Sequence, residues 1–332
     1  MPLLDGDDPV ALHDAARHLA DGELLAFPTE TVYGLGARAD DDHAVARIFA
    51  AKGRPADHPL IVHLAHAGVA PVFAAAWPER ARRLAEAFWP GPLTVIVPRR
   101  AGVGAAAAGG QDTIGLRCPA HPVARALLHE ALLLGVPGVA GPSANRFGRI
   151  SPTSAAHVAS EFEAGLWILD GGDCQVGIES AIVDCSRDRA VLLRPGTLTR
   201  ERIEAALGGE PLEAPDAAAP RASGTLEAHY APRAKVRMMN PAQLRAALAV
   251  LGPQATGTSP PVAVYSRTAG PLPAGVPGRV MPADADAAAQ ALFATLRELD
   301  ATGAPLIWIE HPPAEPAWEG VRDRLQRAAA AG

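Results

Sequence analysis

The sequence predicts an α/β protein built on a twisted mixed sheet, followed by a second, smaller α/β domain. Three observations carry that expectation. Short apolar runs alternate with helical patterns over residues 24–194. The last three runs of that part are separated only by turns, which a purely parallel sheet does not permit. After a stretch rich in Gly, Pro and Ala, a second strand–helix series begins near residue 235.

The strand candidates of the first part are LLAF (24–27), LIVHL (60–64), LTVIVP (93–98), TIGLRC (113–118), LWILD (166–170), AIVDC (181–185) and AVLLR (190–194). Helical periodicity lies between them at His43–Lys52, Pro78–Phe88, Val123–Leu134 and Thr153–Glu163. The segment AGVGAAAAGG (101–110) reads as a mobile loop between two strands. Residues 208–224 break all periodicity and form the best linker candidate. Beyond it come KVRMM (235–239), a helix near 241–251, VAVYS (262–266), a helix near 284–300, LIWIE (306–310) and a closing Ala/Arg helix. The expected division is a first domain over 1–208, a linker over 209–234 and a small α/β domain over 235–332.

With 332 residues, 48% hydrophobic and 20% charged, the chain is long and apolar enough for two folded domains. A net charge of −6 argues against general affinity for a nucleic-acid backbone, though not against a local basic pocket. Cys118, Cys174 and Cys185 show no Cys-x-x-Cys spacing, which suits a reducing compartment without disulfides or structural zinc. The acidic N-terminus lacks a signal-peptide pattern, and no run of about eighteen apolar residues occurs. A cytoplasmic protein with no membrane partner is expected.

FPTETVYGLGARAD (27–40) contains Gly34-x-Gly36-x-x-Ala39, the outline of a dinucleotide-binding turn. Such a turn needs its first glycine straight after a strand, a helix opening on the last, and an acid ending the next strand. Here PTETVY intervenes, Asp40, Asp41 and Asp42 start the helix late, and the next strand ends in His63 and Leu64. The nicotinamide reading therefore fails. Thr29, Glu30, Thr31 and Tyr33 remain beside a flexible glycine turn at a strand end, either a ligand loop or a polar loop capping its own backbone.

Lys52, Gly53 and Pro55 are ordinary helix-stop signals. Lys52 and Arg54 also place two cations at the same sheet end, a point charge and a planar fork that suit a polyphosphate. In GPSANRFGRISPTS (141–154), Ser143 and Asn145 sit in a glycine-bounded loop, and Ser151 stands where a helix N-cap would. Arg117 and Arg194 end strands, as anion clamps or as solvated edge residues, and GIESAIVD (177–184) adds Glu179 and Ser180. No Walker loop, zinc-protease pair, hydrolase elbow or metal-like Cys/His cluster is present.

The ordered series PTETVYGLG, KGRP, HPLIVHL, GPLTVIV, GLRCP, GPSAN, GRISPT, GIES, LLRPG and AHYAP resembles the threonylcarbamoyl-AMP synthase family in its long, two-domain form. The resemblance is dense over roughly residues 10–208 and looser in the C-terminal domain. It implies a YrdC-like catalytic domain and a small Rossmann-like domain. The implied enzyme is a nucleotidyltransferase that condenses L-threonine, bicarbonate and ATP to threonylcarbamoyl-AMP and releases pyrophosphate. That product would feed a downstream transferase modifying tRNA.

By this resemblance Lys52, Arg54, Ser143 and Asn145 form the catalytic set and hold ATP, with His58, Thr113, Ser151, Arg194 and Tyr230. Thr31, His63, Arg117, Gly141 and Ser180 would hold threonine, Arg117 pairing with its carboxylate, and Tyr230 would close over the nucleotide as a lid. Mg2+ would enter with the phosphates and need no dedicated protein ligands. Three positions depart from the family pattern: His58 where asparagine is common, Ala181 for threonine, and SGTLEAHYAP, where a proline often follows the serine. The alternatives are a non-catalytic RNA- or nucleotide-binding relative and a carbamoyl-phosphate-using enzyme. The missing Cys pairs and acylphosphatase-like segment speak against the latter.

Overall fold

The computed structural model describes residues 2–162, 164–251 and 260–331. The chain packs as two units, Met1–Phe147 with Ser151–Thr225, and Gly148–Ile150 with Leu226–Gly332.

The strands of the first unit are β1 (Leu3–Asp5), β2 (Leu25–Phe27), β3 (Gly34–Arg38), β4 (Ile61–His63), β5 (Leu93–Pro98), β6 (Thr113–Arg117), β7 (Val139–Ala140), β8 (Trp167–Asp170), β9 (Ala181–Asp184) and β10 (Val191–Arg194). Its helices are α1 (Pro9–Ala20), α2 (Asp42–Lys52), α3 (Glu79–Phe88), α4 (Pro122–Leu133), α5 (Ala155–Ala159) and α6 (Arg200–Ala206). The strands form one mixed sheet in the order β1-β8-β2-β3-β7-β4-β6-β5-β9-β10. β4 and β6 run parallel, as do β5 and β9, whereas β2–β3, β5–β6 and β9–β10 are antiparallel.

Alternation along the strands explains the two faces. Val62, Val95, Leu116 and Val183 enter the main core with Val45, Ile48 and Phe49 of α2 and Leu84 of α3. Their sequence neighbours Ile61, Ile96 and Ile182 point the other way and pack with Val191, Leu193, Ala219 and Ala222. His63 and Arg117, two residues beyond Ile61 and Gly115, and Ser180 and Thr94, two before Ile182 and Ile96, fall in step with that second face. Farther along the sheet a separate cluster packs α1 and α4 against Leu25, Phe27, Val139 and Leu169.

Three expectations are corrected here. The glycines of GLGAR are not a turn: they form β3, with Gly34 opposite Phe27 and Gly36 opposite Leu25. Glycine is needed because a Cβ on Gly36 would stand 2.9 Å from both the Phe27 ring and Val139 Cγ1. Residues 101–110 are not a free loop either, since Ala107 and Ala108 are fully buried and the Ala107 carbonyl accepts from Leu60 N. Of the pattern at Thr153–Glu163 only α5 is helical, and Glu163 lies outside the described residues.

The second unit carries an all-parallel sheet of β11 (Lys235–Met239), β12 (Ala263–Ser266), β13 (Gly278–Val280) and β14 (Leu306–Glu310), ordered β11-β14-β12-β13. Its helices are α7 (Pro241–Leu251), α8 (Ala285–Ala301) and α9 (Glu319–Ala330). Leu244, Leu248, Val262, Val264 and Val276 form a core cluster there. It is a small Rossmann-like domain. Among the described residues no helix is long and apolar enough to cross a membrane.

Candidate active site

The loop after β2 is the first wall of the site. Thr29 Oγ1 bonds the Val32 carbonyl at 2.6 Å and accepts from Thr31 N and Val32 N, which closes a tight polar turn. Thr29 thus caps the loop's own backbone, while Thr31 Oγ1 receives Arg117 Nη1 at 2.9 Å. Arg117, at the end of β6, also donates from Nη2 to Glu30 Oε1 at 2.6 Å and from Nε to the Gly91 carbonyl at 3.2 Å. Glu30, Thr31 and Arg117 are all buried. Sequence reasoning named Glu30 in this loop without a role. An acid between two threonines before a buried turn was the available signal.

His63 stands beside this pair, edge-on to Phe27 at 5.6 Å between ring centroids. Burial, and then the Arg117 charge, push its pKa down to about 3, so its imidazole is neutral. Its Nδ1 has no hydrogen-bond partner. A Cβ on Gly141 would lie 3.2 Å from that Nδ1 and from the Phe27 ring, so glycine keeps this corner open.

The second wall is the GPSAN loop. Leu35 N donates to the Pro142 carbonyl at 2.8 Å, and Ala144 N donates to the Tyr33 carbonyl at 2.8 Å. This lays the loop along the start of β3. Lys52, the last residue of α2, reaches the loop from behind: Nζ donates to the carbonyl oxygens of Ser143 (2.6 Å) and Asn145. Gly53 ends the helix in the left-handed region at φ 64°, as the stop signal predicted. Desolvation, then the nearby Arg54 charge, lower the Lys52 pKa well below the ordinary lysine value. Arg54 is buried, donates to the Pro59 carbonyl at 3.0 Å and lies over the Phe147 ring. His58, half-buried, meets the same ring edge-on at 5.4 Å.

The third wall is the β9–β10 side. Ser180 Oγ lies 2.8 Å from Thr94 Oγ1, and Arg194 donates to the Ser180 carbonyl and to Oγ. Arg194 Nη1 also bonds the Ser223 carbonyl at 2.8 Å, while Arg54 Nη2 reaches Ser223 Oγ at 3.4 Å. Thus the 221–223 strand of chain lies across both arginines, and with Thr113, Ile61, Thr94 and Ile182 it lines one narrow cavity.

Ser151 is not a helix N-cap. Ser154 caps α5 by accepting from His157 N, and Ser151 Oγ instead donates to Glu179 Oε1 at 2.5 Å. Glu179 is buried, and its charge, after that of Glu161, partly offsets the lowering of the Lys52 pKa. Tyr230 belongs to the second unit, fully buried with φ 61°, against Phe293 and under the guanidinium of Arg324.

A family model described as "Telomere recombination", covering Sua5, YciO and YrdC proteins, matches residues 17–196. The chain belongs to the Sua5/YciO/YrdC family. A second model, "Threonylcarbamoyl-AMP synthase, C-terminal domain", matches residues 198–330. Among relatives of this family member, the threonylcarbamoyl-AMP synthase of Pyrococcus abyssi is 46% identical over 229 residues, 67% of this chain and 66% of its own length. The synthase of Bacillus subtilis is 42% identical over 238 residues, covering 70% and 67%. The matched segment thus spans about two thirds of each relative. A solved structure of P. abyssi Sua5 complexed with L-threonine superposes with a TM-score of 0.88 at 35% identity, covering 99% of this chain and 97% of that one.

Proposed function

We propose that this chain is an L-threonylcarbamoyladenylate synthase, using L-threonine, bicarbonate and ATP and releasing pyrophosphate. The observation that carries the reading is the gathering of two kinds of anion subsite at one end of the sheet. A buried Arg117–Thr31 pair suits an amino-acid carboxylate, and Arg54, Arg194 and the Lys52-clamped Ser143–Asn145 loop suit a triphosphate. The likeness to synthases and to a threonine-bound relative supports it.

No side chain needs to act as a nucleophile. Bicarbonate takes up a proton and loses water to give CO2, and the threonine amine adds to that CO2 and loses a proton, giving a carbamate. A carbamate oxygen then attacks the α-phosphorus, and pyrophosphate leaves. The protein's part is to align carbamate and phosphate and to offset charge on the departing pyrophosphate. Neutral His63, with its Nδ1 open toward the Gly141 corner, would accept or donate one hydrogen bond to the amino acid. Mg2+ entering with ATP would supply the remaining charge neutralisation on the phosphates without dedicated protein ligands. Among the described residues no group of three or more His, Cys, Asp or Glu gathers as a cage.

Contacts of His58, Thr113 and Ser151 with ATP are part of the same proposal, as are delivery of the product to a tRNA-modifying transferase and a cytoplasmic location. The rival, a non-catalytic RNA binder, finds little support in a net charge of −6. Pyrophosphate release from ATP, measured with threonine and bicarbonate omitted in turn, tests the reading. Release should require both. Release indifferent to either would overturn it.

A further inference from the structure

We infer that Glu30 is a positioning and selectivity residue for the amino-acid subsite: it fixes the Arg117 fork and cancels its charge, so that the subsite takes a carboxylate and refuses a phosphate. This rests on the reading that Arg117 receives the carboxylate of threonine.

Donor counting supports the first half. A guanidinium has five N–H groups. Arg117 commits Nε to the Gly91 carbonyl, one Nη1–H to Thr31 Oγ1 and one Nη2–H to Glu30 Oε1. One N–H remains on each terminal nitrogen, the number a carboxylate needs for a paired contact. Three partners from two chain segments, Gly91 and the Glu30–Thr31 loop, hold the plane of the fork. Glu30 is itself held: Oε2 accepts from Ala120 N at 3.0 Å, and its carbonyl accepts from Val176 N at 2.7 Å. The carboxylate therefore cannot swing aside without giving up a main-chain donor.

Charge supports the second half. Arg117 is 3% exposed and Glu30 6%, so their ion pair at 2.6 Å sits in a medium that screens poorly. Without Glu30 the arginine would be a desolvated cation, open to any small anion. Such anions are at hand in the proposed reaction, since the substrate carries three phosphates and pyrophosphate leaves. The neutral Glu30–Arg117 pair thus sorts the two anions by hydrogen-bond geometry instead of by charge.

Calorimetric titration of the full chain tests this, with L-threonine and inorganic pyrophosphate as probes and wild type compared with Glu30→Gln. Glutamine keeps the shape and removes the charge. Wild type should bind threonine, and E30Q should bind it at least about tenfold more weakly, the scale of one charge-assisted contact. Pyrophosphate should compete with threonine in E30Q and not in wild type, an effect that mere loosening of the loop would not produce. Failure of wild type to bind threonine would remove the underlying assignment. Wild-type binding with E30Q unchanged, tighter, or weaker without the new competition would overturn the inference alone. If E30Q does not fold, Glu30→Asp keeps the charge one methylene short. It should weaken threonine without admitting pyrophosphate, and threonine affinity equal to wild type would refute the positioning role.

Discussion

Lys52 Nζ donates to the carbonyl oxygen of Ser143 at 2.6 Å, tying the end of α2 to the loop that carries Asn145. The lysine that the sequence offers as both a helix stop and a phosphate ligand thus also braces a loop. Its ammonium is buried, so the contact is strong and removal leaves two carbonyls without their donor. Lys52→Ala should lower pyrophosphate release on the order of a hundredfold, the usual cost of one preorganised donor at a phosphoryl or oxyanion site. Steady-state kinetics and a melting curve on the same sample check it. Retained activity would remove Lys52 from the catalytic set.

His63 links the site to pH. Its pKa is about 3 in the fold against an ordinary 6.5, so the unfolded chain binds a proton between those values and the native state does not. The stability it contributes is whole above pH 6.5 and is lost as pH falls toward 3, by about 1.4 kcal/mol per pH unit in that window. Chemical denaturation at several pH values should give a shallower dependence for His63→Asn than for wild type. Identical slopes would mean that His63 is charged in the native protein.

Gly36 tests the packing under the site. Its missing Cβ leaves room for the Phe27 ring and Val139, both within 2.9 Å of where that atom would be. Gly36→Ala should destabilise the fold by about 1–3 kcal/mol, the cost of overpacking a filled core. Trimming the ring with Phe27→Leu in the same chain should recover part of the loss. Denaturant titration of both single variants and the double variant measures the coupling.

The cysteines provide a check on burial that does not involve activity. Burial pushes the thiols of Cys118 and Cys185 up to about 12, and that of Cys174 higher still. All three are buried and free. Iodoacetamide at pH 8 should leave the native protein unmodified by mass spectrometry and label three sites after unfolding. Rapid native labelling of Cys118 would contradict the packing beside Arg117.

Much of the fold was legible because short, nearly continuous apolar runs such as LTVIVP and AIVD carry their own signal, and they became β5 and β9. The strands that escaped are short or lack β-branched residues: Leu3–Asp5, Gly34–Arg38, Val139–Ala140 and Gly278–Val280 form because a neighbouring strand offers them its ladder. Asp8 and Pro9 were a legible start for α1, with Asp8 accepting from Val10 N, yet that helix was not read. At the site, the residue types were legible and their partners were not. Arg117 reads as an anion clamp or as a solvated edge residue, and only tertiary contact reveals that it is buried and that Glu30 already holds one side of it. Ser151 looked like a cap because it precedes a proline, whereas the backbone turns three residues later, at Ser154.

The most direct test of the central claim is the product itself. The full chain is incubated with ATP, Mg2+, L-threonine and 13C-bicarbonate, and the adenylate is analysed at once by mass spectrometry. The account predicts a threonylcarbamoyl-AMP ion carrying the label in its carbamoyl carbon, absent when threonine is omitted. An unlabelled adenylate of threonine, or ATP turned over with no carbamoylated product, would contradict it.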